Sequence, residues 1–118
     1  MAAQVDGIPA AAIERYDAVI ATRPGIERKG ASMPYTSTNG HMFSFLTPEG
    51  TLALRLSTSD RKRFLESHPD ATVEQHGRVL KEYVAVPDEL FASAEALASL
   101  FALSAEYVAS LRPKPPKR

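Results

Sequence analysis

His41, His68 and His76 are the three histidines of this 118-residue chain, and it has no cysteine to accompany them. A metal centre needs several such donors to converge. No pair here has the His-x-x-x-His spacing that puts two imidazoles on one helix face, and none lies in an acid-rich run. His68 stands before Pro69 and reads as a helix terminator; His76-Gly77 reads as a turn. The lack of Cys excludes a disulfide, a thiol nucleophile and a cysteine zinc site. The chain has no Gly-x-Ser-x-Gly elbow, no Gly-x-Gly-x-x-Gly and no P-loop, so no known strained nucleophile turn or phosphate cradle is present. A Ser/His/acid triad can be assembled from residues distant in sequence, so geometry has to decide that point. The expectation is a protein that is not an enzyme, with no catalytic, cofactor or metal residues to assign.

Charge carries the next candidates. Fourteen Lys and Arg balance fourteen Asp and Glu, so no global field draws the chain to nucleic acid or a membrane. Arg61-Lys62-Arg63 is the internal basic run. On a helix successive residues point about 100° apart, so these three are expected to form a solvated face rather than one patch. The other basic cluster is terminal: Arg112 to Arg118 holds four of the positive charges and three of the nine prolines. Proline denies that segment helix and ladder hydrogen bonds, so it is expected to be an extended tail, residues 112–118, on a single domain, residues 1–111. Without the tail the body has ten positive and fourteen negative charges, a net of −4. The tail reads as a solubilising end; the alternative is a basic arm that binds nucleic acid together with Arg61 to Arg63.

The segments that must position such residues follow from periodicity. Hydrophobic residues make up 44% and charged residues 24%, which excludes wholesale disorder. Residues 9–22 are expected to be a helix, begun by Pro9, with Ala12, Ile13, Tyr16, Val19 and Ile20 as its apolar stripe. Arg23-Pro24-Gly25 ends it. Ile26 to Lys29 reads as a short edge strand, and Gly30 to Gly40 as a loop closed by the Asn39-Gly40 turn. His41–Thr47 and Thr51–Ser57 form a hairpin about Thr47-Pro48-Glu49-Gly50, a type I turn. Pairing Leu46 with Thr51 puts Phe45 opposite Leu52 and Phe43 opposite Leu54, so these four and Leu56 share the core face. A capped helix follows over 59–67, with Phe64 and Leu65 inward. A second hairpin, 71–75 with 79–86, pairs Gln75 with Arg78. That register places Val73, Leu80, Val84 and Val86 in the core, with Glu82 awkwardly beside them. The last helix runs 93–111 through Leu97, Leu100, Phe101 and Val108, with a turn over Asp88 to Ala92 before it. The expected class is α+β, a mainly antiparallel sheet of about five strands with helices, in the order α-β-β-β-α-β-β-α.

On those registers the sheet face away from the core carries Met42, Ser44, Arg55, Lys81 and Tyr83. This mixture of amphipathic and cationic side chains is the candidate interaction surface, with Arg55 and Tyr83 as anchors, since Tyr, Met and Arg are enriched at interfaces. The partner expected there is a second copy of the chain. Met1 to Ala10 lacks the basic start and apolar run of a secretory signal, and the chain has no run of about eighteen apolar residues, so a cytoplasmic location and no membrane are expected.

Three segments in order carry a resemblance to a known family. They are Asn39-Gly-His-Met-Phe-Ser-Phe-Leu46, then Gly50-Thr-Leu-Ala-Leu-Arg-Leu56 with the helix that holds Phe64, and Lys81-Glu-Tyr-Val-Ala-Val-Pro87 before a last helix. Together they resemble the N-terminal domain of the TfoX/Sxy family over Tyr16 to Leu111. Ala31-Ser-Met-Pro-Tyr35 keeps the methionine of the family's Met-Phe-Gly-Gly segment but not the rest. The resemblance implies a secretion-chaperone-like fold and a regulatory or protein-interaction role without catalytic residues. The longer members have a C-terminal domain that is not matched here.

Overall fold

The computed structural model describes residues 8–30, 33–75 and 77–111. Helix α1 (Ala10–Ile20) starts at Pro9, whose carbonyl accepts from the Ala12 and Ile13 amides at 3.0 and 3.3 Å. It buries the expected stripe of Ala12, Ile13, Tyr16, Val19 and Ile20. The next segment departs from expectation. Ile26 to Lys29 is not a strand; Lys29 makes a single bridge to Tyr35. The first strand, β1 (Tyr35–Thr38), lies inside the expected loop. Its Ser/Thr-rich composition reads as a turn, but Thr36 is buried against β2 (His41–Leu46) and tertiary pairing prevails over local preference. The Asn39-Gly40 turn is as expected. Both residues have positive φ, 56° and 79°, and Thr38 pairs with His41 across a two-residue loop.

Strand β3 (Leu52–Arg55) pairs antiparallel with β2, one residue out of the expected register: Leu46 faces Leu52, Phe45 faces Ala53 and Ser44 faces Leu54. The turn is the reason. Gly50 donates to the Thr47 carbonyl, as a β-turn requires, but takes φ +89° and adds a residue before Thr47 meets Thr51 at 2.9 Å. A three-residue loop ending in a left-handed glycine is a standard hairpin with a bulge. Gly50 also lies against α1: a Cβ there would stand 3.2 Å from that of Ala12. A one-residue slip turns side chains to the opposite face, so Phe45 lies with Ala53 rather than with Leu52 and Leu54. A bulge does the rest. Thr36 pairs with Ser44 and Ser37 with Met42, which leaves Phe43 as the extra residue and turns it toward the helices beside Ser44.

Helix α2 (Thr58–Ser67) is capped by Ser57, whose Oγ accepts from the Asp60 amide at 3.2 Å. Strands β4 (Thr72–Gln75) and β5 (Arg78–Ala85) pair Gln75 with Arg78 as expected; His76, assigned to the turn from the sequence, lies outside the described residues. Their register then slips: Glu74 faces Val79 but Thr72 faces Val84, so β5 advances five residues while β4 advances two. That irregularity corrects the expected core face, because Val73 and Leu80 lie on the opposite side of the sheet from Val84 and Val86. A single-turn helix α3 (Asp88–Phe91) precedes α4 (Ala94–Ala109), capped by Ser93. The five strands form one antiparallel sheet in the order β1-β2-β3-β5-β4. The architecture is α+β with the expected element order, α3 being the turn before the last helix. The expected tail, residues 112–118, lies outside the described residues.

The sheet separates two apolar clusters. On the helical side, residues of α1, α3 and α4 enclose Phe43, Leu46, Leu52, Leu54, Leu56, Val84 and Val86, and Phe64 and Leu65 of α2 pack at the margin. Phe43 and Phe101 meet with ring centroids 5.4 Å apart. On the other side Phe45, Ala53 and Val73 are buried beneath Met33, Tyr35, Met42, Leu80, Tyr83 and Ala85, and this cluster contains no helical residue.

Candidate functional site

Polar side chains inside the helical core come first, because buried hydroxyls are where chemistry could hide. Tyr16, Thr36 and Ser44 are fully buried. The Tyr16 and Ser44 hydroxyls lie 2.6 Å apart, and Thr36 bonds the same Ser44 oxygen. Burial pushes the Tyr16 phenol well above its ordinary range, partly offset by these hydrogen bonds. The three hydroxyls satisfy one another and tie α1 to the β1–β2 hairpin; Ser44 meets a phenol and a threonine, not a base that could activate it. Ser104 of α4 does similar work. Its hydroxyl sits 3.0 Å from the Phe43 carbonyl and 2.5 Å from that of Arg55, just beyond the last paired residues of β2 and β3. The helix thus satisfies the backbone that the bulge exposes.

Arg55 does not stand where sequence reasoning put it. Its Nε lies 2.5 Å from Glu82 Oε1, and its guanidinium is 5.7 Å from the ring centroid of Tyr107 on α4. Tyr107 donates to Glu82 Oε2 at 3.4 Å. The cation therefore curls from the end of β3 to the helical side, where Glu82 compensates it. This also explains Glu82, the misfit of the expected core face: it is the acid that makes a part-buried arginine tolerable. Ser44 is likewise on the helical side, and Lys81 is exposed and faces α2. Of the expected surface, Met42 and Tyr83 come together, while Arg55 is the cross-strand partner of Tyr83 but turns its guanidinium away to Glu82 and Tyr107.

Those two lie at the centre of the second sheet face. Tyr83 donates to the Met42 carbonyl at 2.9 Å and packs on Phe45 with centroids 5.3 Å apart. Burial pushes its phenol from the ordinary 10.0 up to about 12, with the Arg55 charge opposing. Met33, Tyr35 and Leu80 border them half-buried. Sequence reasoning missed Met33 and Tyr35 by assigning them to a loop; their spacing of two residues beside Pro34 was the available signal. The β4–β5 hairpin curls over part of this face, so that Gln75 Nε2 reaches Met33 Sδ at 4.0 Å and Glu74 and Gln75 approach Thr47 to Glu49. The face is therefore half covered, with Val79, 50% exposed, on the strand that curls over it.

The histidines do not converge. His41 begins β2 opposite Thr38. His68 stacks on Phe64 at 4.5 Å at the end of α2, as a terminator would. Among the described residues no three His, Asp or Glu side chains gather as a metal site would require. No helix among them is long and apolar enough to cross a membrane. Compared with known proteins, the chain matches no family model, no curated protein and no solved structure.

Proposed function

We propose that this chain is a non-enzymatic interaction module that associates with a second copy of itself through the sheet face of Met33, Tyr35, Met42, Leu80 and Tyr83. One observation carries the reading: the cluster on that face has no helix over it, and two methionines, two tyrosines and a leucine remain half-buried there. None of the five is charged, so a partner must offer an equally uncharged surface, and the same patch on a second molecule does so. Met and Tyr suit such a contact, being adaptable or amphipathic. The role is regulatory and cytoplasmic, in keeping with the proposed kinship to TfoX N-terminal domains, which rests on the order and spacing of the three segments quoted above.

Sedimentation velocity across about 1 to 100 μM tests this, a range that spans common weak dimers. The native chain is expected to shift toward dimer with concentration. Met42→Glu with Leu80→Glu is expected to weaken association at least tenfold, or about 1.4 kcal/mol, with unchanged circular dichroism. A native chain that stays monomeric throughout overturns the reading.

A further inference from the structure

The face of α2 that looks toward β5 carries Thr58, Arg61, Lys62, Leu65 and Glu66, at helical spacings of three and four residues. With Lys81 of β5 they line an open groove of about 370 Å³. Arg61 and Lys62 thus share one site that Lys81 completes, against the expectation of a basic run dispersed around the helix. Arg63 leaves the group and faces Asp60 at 4.0 Å.

These three cations have no carboxylate within ion-pair distance, a property they share with Lys29 and Arg78 among the described residues, but they alone line one groove. Arg15, Arg23, Arg28 and Arg55 each meet an Asp or Glu within 4 Å. Among the described residues, Arg61, Lys62 and Lys81 have no such ion pair. Arg61 is instead aimed by the backbone: its Nε donates to the Tyr83 carbonyl at 3.1 Å. That bond fixes the guanidinium plane, and among the described residues its two terminal nitrogens meet no protein acceptor, the fork geometry that matches a phosphate or carboxylate. Three cations against the one acid, Glu66, leave a local charge of +2, which balances a dianion better than a single carboxylate. The volume falls within the range of small-molecule clefts.

We propose that this groove binds a phosphomonoester-bearing small molecule, its phosphate held between Arg61, Lys62 and Lys81. The inference is independent of the self-association reading, since none of these residues belongs to the second sheet face. The probe is phenyl phosphate, followed by amide chemical shifts in the ¹⁵N-labelled full chain. Shifts are expected at Arg61, Lys62, Leu65 and Lys81. Binding should strengthen several-fold between about pH 5 and pH 7.5, as the phosphate loses its second proton near pH 6. Phenyl sulfate, a monoanion of similar shape, should bind several-fold more weakly. Lys62→Gln with Lys81→Gln, both at exposed positions, should weaken binding at least tenfold and leave the remaining spectrum in place. The proposal is overturned by no shifts with probe at about ten times a millimolar dissociation constant, by equal affinity for the sulfate, or by binding that the double variant retains. A single-stranded oligonucleotide that binds far more tightly, with a steep salt slope and shifts spreading beyond the groove, would also overturn it in favour of a nucleic-acid surface.

Discussion

The two faces of the sheet are made from the same strands and differ in what closes them. On the helical side, α1, α3 and α4 seal Phe43, Leu52, Leu54 and Phe101 completely, and the buried hydroxyls of Tyr16, Thr36, Ser44 and Ser104 there each have a partner from another element. On the other side the chain closes the layer with its own curled hairpin, leaving Met42, Leu80 and Tyr83 half-buried. The first arrangement specifies a fold. The second leaves apolar surface that a partner can finish, and the difference is set by two backbone irregularities, the bulge at Phe43 and the slip between β4 and β5.

The largest expected effect lies in the sealed core. Phe101→Ala should cost about 3–5 kcal/mol in chemical denaturation, because a large side chain is lost and a cavity remains. Leu80→Ala on the half-covered face should cost about 1 kcal/mol, since its surroundings can relax or admit water. Equal losses at the two sites would erase the contrast between the faces.

Smaller tests probe the polar contacts. Tyr16→Phe removes one hydroxyl from the buried trio but leaves Thr36 and Ser44 bonded to each other, so a loss of about 1–2 kcal/mol is expected by thermal or urea melting. Tyr83→Phe gives up the bond to the Met42 carbonyl in a wetter setting and should cost about 1 kcal/mol or less. The two phenols also predict an alkaline limit. Their folded pKa values are raised, so the stability they contribute is complete below the ordinary 10.0 and falls as pH rises toward about 12 and beyond. Urea midpoints should hold up to about pH 9.5 and then decline, less steeply in Tyr83→Phe. A midpoint that is flat to pH 11 would contradict the burial of both rings.

Much of this was legible in the sequence. Helical stripes marked α1 and α4, and Asn39-Gly40 and Gln75 to Arg78 marked two hairpin turns, because those signals are local. The sheet faces were not legible to the same degree. The left-handed Gly50 shifted one register by a residue, the bulge at Phe43 put two successive side chains on one side, and each change moved a side chain between faces. The candidate surface changed accordingly: the bulge took Ser44 to the helical side, Arg55 curls its guanidinium there from the end of β3, and Met33 and Tyr35 were hidden in an apparent loop. Glu82 was the clue, since an acid on an apolar face needs a cation, and Arg55 is the one that reaches it.

The claim that the second face is where this molecule meets its partner is tested most directly by a dilution series of ¹⁵N-correlated spectra. The account predicts concentration-dependent shifts confined to Tyr35, Met42, Leu80, Tyr83 and their strand neighbours, with α1 and α4 unmoved. Shifts centred on α1 or α4, or spectra that do not change with concentration, would contradict it.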